Sequence, residues 1–184
     1  MSEPLDHDHI VRTTIHWLEA AVIGLNLCPF AGVPWRQGRV RLRVSDARGQ
    51  QQLAEELVSE LLALDAADPT ECETTLLVHP GVLGDFDDYN DFLDVADGLL
   101  EQLGLEGTLQ LASFHPEYCF ADSAPDDPAN CSNRSPYPML HLLRESSIEA
   151  ATARLPEPEA IYERNIRTLR ELGMSGWTAL MKQG

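Results

Sequence analysis

Two of the six histidines stand in the same dipeptide, His79-Pro80 and His115-Pro116, and the second is followed by Glu117. Imidazole is the side chain whose ordinary pKa suits proton transfer near neutrality. His79 and His115 are therefore a candidate acid–base pair, with Glu117 available to orient or titrate one of them. The same three could hold a divalent metal, because two imidazoles and a carboxylate leave an open position for water on zinc or iron. No HExxH or CxxC spacing accompanies them. The plainer role for both histidines is to hydrogen-bond backbone at the ends of strands.

A second set is built on arginine, of which the chain has 12 against a single lysine, Lys182. Guanidinium offers a planar fork for carboxylate or phosphate. Asn133 and Arg134 sit in a Pro-rich stretch, and His141 and Arg144 are spaced to share one helix face. Together they suggest a site for a small anion. The competing reading pairs Arg134 with Asp122, Asp126 or Asp127, and Arg144 with Glu145 or Glu149, the usual fate of surface charges. Cys28 is the candidate thiol. It follows a helix C-terminus, where the dipole raises a thiol pKa, and a small buried hydrophobe is the simpler account. Ser135 lacks a Gly-x-Ser-x-Gly elbow, and no phosphate loop or GxGxxG is present.

The elements that must position these residues can be read from periodicity. Val11, Thr14, Ile15, Leu18, Ala21, Val22 and Leu25 predict a helix over about 9–25, with Pro29 forcing Cys28 out of it. Val40, Leu42 and Val44 alternate with Arg39, Arg41 and Arg43, which predicts a strand whose arginines find the protein's own acids. Leu53, Leu57, Leu61 and Leu64 mark a second helix. Residues 74–78 are apolar on both faces and predict a central strand ending in His79. Asp85 is an expected N-cap for a third helix with Tyr89, Phe92, Ala96 and Leu100 inward. Residues 108–114 predict a third strand, ending in His115. Residues 117–138 read as a long loop, often functional in a compact domain. Residues 139–154 read as helical with a break near 145–147. Pro158 opens a last helix that Gly173 ends.

Strands alternating with helices imply crossovers and a parallel sheet. The expectation is an α/β fold: a small three-stranded, mainly parallel βαβαβ sheet with helices on both faces, plus an extra N-terminal helix and C-terminal helices. It forms one domain over 1–184, with 1–8 flexible. In open parallel sheets, ligands bind beyond the C-terminal strand ends. That edge would receive His79, His115 and the long loop.

The formal net charge is −17, and it is unevenly placed. Residues 49–133 hold 19 Asp and Glu and no Lys or Arg; the rest hold 11 acids and 13 bases, a balance of +2. An excess of this size disfavours general nucleic-acid binding and anionic membrane surfaces. It leaves room for one small anion at a local arginine site. No apolar run has transmembrane length. The acidic N-terminus is unlike a signal peptide, and four irregularly spaced cysteines suit reduced thiols in the cytoplasm.

The segments Asn26-Leu27-Cys28-Pro29-Phe30, Leu77-Val78-His79-Pro80 and Phe114-His115-Pro116-Glu117-Tyr118 sit beside a longer one, Asn133 to Glu145, which reads NRSPYPMLHLLRE. With them the chain resembles a bacterial family of unknown function (domain of unknown function, number 1415) over nearly its whole length. The resemblance implies a single-domain bacterial protein and no assigned activity. The functional expectation is thus a cytosolic small-molecule enzyme acting on an anionic substrate. His79, His115 and Glu117 would be catalytic, and Arg134, Arg144, His141 and Asn133 would bind substrate. The alternatives are a non-catalytic ligand-binding or protein-interaction module, where the same polar residues are structural, and a metal-dependent hydrolase.

Overall fold

Asp6 starts the first helix: its carboxylate accepts the His9 backbone N–H at 3.0 Å, satisfying one of the unpaired donors of a helix N-terminus. In the computed structural model, which describes residues 5–154 and 159–182, α1 runs His7–Trp17. It widens into a π-helical turn over Leu18–Ile23. Asn26, at φ 54, turns the chain out of it. There follow α2 (Gly32–Arg36), β1 (Val40–Val44), α3 (Gln50–Ala66), β2 (Thr74–Val78), α4 (Phe86–Gln102) and β3 (Leu109–Phe114). A 3-10 turn at Pro128–Ser132 interrupts the long loop. It leads to β4 (Met139–Arg144), α5 (Glu145–Thr152) and α6 (Glu159–Met181). Gly173, at φ 67 and ψ 170, interrupts α6 where the helix is expected to end, and a second helical segment, not expected, continues to Met181. Pro158 and residues 1–4 lie outside the described residues, while His7 and Asp8 already belong to α1.

The sheet has four strands, not three. Residues 139–144, expected to be helical, form β4, and it enters the middle of the sheet in the order β1-β2-β4-β3. β1 and β2 are parallel, and β4 is antiparallel to both β2 and β3. β1, β2 and β3 therefore share one direction, but only one of the three pairings is parallel. The reason is local ambiguity. Met-Leu-His-Leu-Leu-Arg is an apolar run too short for its period to separate helix from strand. Pairing on both sides then overrides the helix preference of Leu and Met. The break read near residue 145 is where β4 gives way to α5.

Strand alternation sends side chains to two cores. On one face Leu77, Leu140 and Leu142 meet Leu53, Leu57 and Leu61 of α3 and Tyr89, Phe92 and Ala96 of α4. On the other, Leu76, Val78 and Met139 meet Ile10, Trp17 and Leu18 of the N-terminal helix and Leu169 and Trp177 of α6. Each fully buried leucine contributes roughly 1.5–3 kcal/mol. The acids of α4, Asp87, Asp88, Asp91, Asp94 and Asp97, face solvent. The arginines on and just before β1 are matched as expected: Arg39 to Glu73, and Arg41 and Arg43 to Glu60 of α3. Among the described residues no helix is long and apolar enough to cross a membrane.

Candidate functional site

Because β2 and β3 run the same way, His79 and His115 emerge at one edge of the sheet. The start of β4 lies between them: Met139 is in register with both Val78 and Phe114. Backbone bonds fix both positions, His79 N–H to Pro138 O at 2.9 Å and His115 N–H to Asn133 O at 3.1 Å. Tyr89 of α4 fills the space between the two rings. Its centroid is 5.9 Å from the His79 ring and 5.0 Å from the His115 ring. Its hydroxyl donates to Met139 O at 2.8 Å and accepts the Phe114 N–H at 3.1 Å.

Both imidazoles are fully buried, and both are turned toward backbone. His79 Nδ1–H donates to Val82 O at 3.1 Å. His115 Nε2–H donates to Leu83 O at 3.1 Å, while its Nδ1 accepts the Glu117 backbone N–H at 3.0 Å. Two consecutive carbonyls of the 79–85 loop are thus held by two histidines. Leu83 itself sits at φ 59, a left-handed conformation that costs a non-glycine residue roughly 1–2 kcal/mol. Burial pushes the His79 pKa down to about 4, with a smaller push from His115. Burial lowers that of His115 as well, against hydrogen bonds to the loop and the nearby charges of Glu117 and Asp85. Near neutrality both rings are uncharged. His115 has no nitrogen left for a metal or a substrate proton, and His79 keeps one, a buried Nε2 with no hydrogen-bond partner. Glu117 meets His115 through its backbone, and its side chain is exposed. Among the described residues no three His, Cys, Asp or Glu side chains gather as a metal set.

The arginine set is divided. Arg134 reaches back over the long loop: Nε donates to Tyr118 O at 3.0 Å and Nη2 to Pro125 O at 2.8 Å. Its own carbonyl accepts the Trp17 indole N–H at 2.9 Å. Asp127, one of its expected partners, instead pairs with Arg170 at 2.7 Å. The Arg170 hydrogen bond and the Ala129 N–H hold the Asp127 carboxyl down to about 2. Asn133 Nδ2 donates to Ser113 O at 3.0 Å and stitches the loop to β3.

Arg144 and His141 do not join the site. β4 runs away from the histidine edge, so Arg144 lies five residues along it from Met139, roughly 17 Å away by strand rise. There Arg144 Nη2 donates to Leu64 O at 2.6 Å, Ala67 O at 2.7 Å and Cys72 O at 3.2 Å, closing the end of α3. Spacing of three places residues on one face of a helix but on opposite faces of a strand. His141 accordingly points to the other core, its Nε2 2.6 Å from Thr74 Oγ1. Burial lowers its pKa to about 4. Burial also pushes the Cys28 thiol up, ahead of the lowering bonds from Phe30 and Ala31, so Cys28 is no thiolate near neutrality.

Several residues that matter carried no chemical signal in the sequence. Arg164 and Asn165 of α6 donate to Asn26 O at 2.6 Å and Leu27 O at 2.7 Å, holding the turn that precedes Cys28. Asn130, fully buried, accepts the Phe120 N–H at 3.1 Å and donates to Ala124 O at 2.8 Å. Tyr89 was legible as core, but the partner of its hydroxyl, Met139 O, belongs to the strand read as helix.

Two of the clefts among the described residues matter here. One, of about 140 Å³, lies near Arg39, Arg41 and the end of α3, where the arginines already face Glu73 and Glu60. The other, of about 110 Å³, lies on the histidine side of the sheet. Thr13 and His16 of α1, Pro116, Arg134 and Ser135 of the loops, and Trp177 and Met181 of α6 line it. Of the expected site residues, Arg134 lines the second cleft.

The family model described as a protein of unknown function (DUF1415) matches residues 9–179, and the chain belongs to that family. No curated protein and no solved structure matches it.

Proposed function

We propose that this protein is a non-catalytic binding module for a small anionic ligand, in which the strand-end histidines are structural. The observation that carries this reading is the saturation of His115. One ring nitrogen donates to Leu83 O and the other accepts from Glu117 N–H, with the ring fully buried. A general base must reach a proton of its substrate, and this imidazole reaches two loops of its own chain. Asn133 and Arg134 act in the same way on the 117–138 loop, and Arg134 alone combines that bracing with access to a cleft. The acidic balance of the chain supports a single small anion over a polyanion. Four unpaired cysteines support a reducing compartment.

Replacing His115 by Asn tests the reading. Asn cannot span from Leu83 O to Glu117 N–H, so buried polar groups lose partners at about 1–3 kcal/mol each. The expected result is a loss of about 2–4 kcal/mol of stability, read as a fall of the urea midpoint. An unchanged midpoint would remove the structural role and return His115 to the catalytic candidates.

A further inference from the structure

We infer that the cleft between α1, the Pro116 and Ser135 loops and the last segment of α6 binds a small monocarboxylate, its carboxylate on Arg134 and its short apolar chain against Trp177 and Met181. The inference rests on the proposed binding role and deepens it. Arg134 donates to two carbonyls through Nε and Nη2, also hydrogen-bonds the Cys131 thiol, and still lines the cleft. The side chain is thus held beside the cleft by its own loop before any ligand arrives, which lowers the ordering cost of binding. His16 is held similarly: its Nε2–H donates to Leu180 O at 2.8 Å and leaves Nδ1 over.

The shape of the cleft sets the class of ligand. Its volume of about 110 Å³ far exceeds the roughly 10–15 Å³ that one water needs. It also falls well below the roughly 300–1,000 Å³ of ordinary cofactor sites. Only a ligand of a few heavy atoms fits. One guanidinium, with part of its donor set already used, satisfies one carboxylate; a phosphate dianion needs more donors than this wall supplies. Pro116, Pro136, Trp177 and Met181 make the remaining wall largely apolar, which favours a ligand with an aliphatic end over a bare inorganic anion.

Two backbone irregularities converge here. The π-helical turn begins at Leu18, directly after His16 and Trp17, and π turns are common beside functional sites. The Gly173 break sends the following segment, with Trp177 and Met181, across the cleft.

The test is a ¹⁵N NMR titration of the full chain with butyrate, acetate and inorganic phosphate in turn. Butyrate is expected to shift the Trp177 indole, Thr13 and Ser135 signals with a millimolar Kd, and phosphate to bind at least roughly tenfold more weakly. Arg134→Gln should weaken butyrate roughly ten- to hundredfold. Thr13→Tyr, which fills the cleft and leaves Arg134 in place, should abolish the shifts while the remaining spectrum stays folded. Shifts scattered outside the cleft, phosphate binding as tightly as butyrate, or binding that survives Thr13→Tyr would each overturn the inference. Should either variant unfold, the shift map and phosphate comparison on the unaltered chain decide. Failure here alongside a destabilised His115→Asn variant sinks the ligand class alone. An undisturbed His115→Asn variant sinks the broader reading whatever butyrate does.

Discussion

At the edge where β1, β2 and β3 begin, Arg144 is 7% exposed and donates to three carbonyls around the end of α3. At the edge where they end, Arg134 donates to two carbonyls of the long loop and remains half-exposed beside a cleft. The two side chains do the same local work. A helix end or an irregular loop leaves carbonyls without partners, and a planar fork of donors collects several at once. What differs is what is left over. The buried arginine spends its bonds on one nitrogen and leaves only an enclosed Nε, while the half-exposed one is held by its carbonyls and still lines a cleft. Orientation by backbone is thus compatible with function only where the surroundings stop short of enclosure.

The largest expected effect breaks the first of these edges. Arg144→Leu leaves Leu64, Ala67 and Cys72 carbonyls short of a donor at the dipole-negative end of α3. It should cost about 3–5 kcal/mol, since charged hydrogen bonds are worth about 1.5–3 kcal/mol each and are not additive. Urea unfolding measures it. Arg144→Lys should recover part of the loss, because all three carbonyls converge on one nitrogen, Nη2, and an ammonium carries three donors. A loss no larger than that of Arg134→Gln would erase the contrast between the edges.

Acid provides a smaller and more local perturbation, aimed at the other edge. His79 has its pKa lowered from 6.5 to about 4 in the fold. The unfolded chain therefore binds more protons between those values, and stability must fall as pH drops through them. Above pH 6.5 the contribution is fully present; below about 4 no more is lost. The ceiling is about 3 kcal/mol for this histidine. His141 titrates in the same window from the opposite face of the sheet, so a His141→Gln background leaves the signal of the edge pair, His79 with His115, whose pKa burial also lowers. In that background amide exchange at Val82 and Leu83 should rise on acidification before exchange in the last turn of α3. A uniform rise would mean that the two edges unfold as one unit.

The sequence already carried the alternation of β1, the central character of β2, the Asp85 cap and the Gly173 break, because period and turn chemistry are local. It also carried the convergence of His79 and His115, since that needs only a common strand direction. β4 was hidden because a six-residue apolar run has no decisive period, and its antiparallel entry separates Arg144 from the histidines. One misread element thus moved a residue to the opposite edge and reversed the face of His141. The saturation of His115 was illegible for another reason: its partners are backbone groups of Leu83 and Glu117, and any residue type supplies those. Arg134 was singled out correctly as a loop arginine but paired with the wrong kind of partner, carboxylates in place of carbonyls.

The smallest expected effect separates arginines that hold backbone from arginines that meet carboxylates. Arg170 lies on α6 with its side chain 58% exposed and forms an ion pair with Asp127 at the start of the 3-10 turn. Solvent screens such a pair, and exposed pairs contribute little to stability. Asp127 also accepts the Ala129 N–H at 2.9 Å, so the turn keeps its cap when Arg170 is removed. Arg170→Gln should therefore shift the urea midpoint barely at all at moderate salt, and any shift should vanish as salt rises. Asp127→Ala, which removes the cap with the charge, should lower the urea midpoint and keep that effect in high salt. If Arg170→Gln instead destabilised the protein as much as Arg134→Gln does, the worth of arginine at this edge would lie in its charge. Carbonyl bonding would then not be what holds Arg134 beside the cleft.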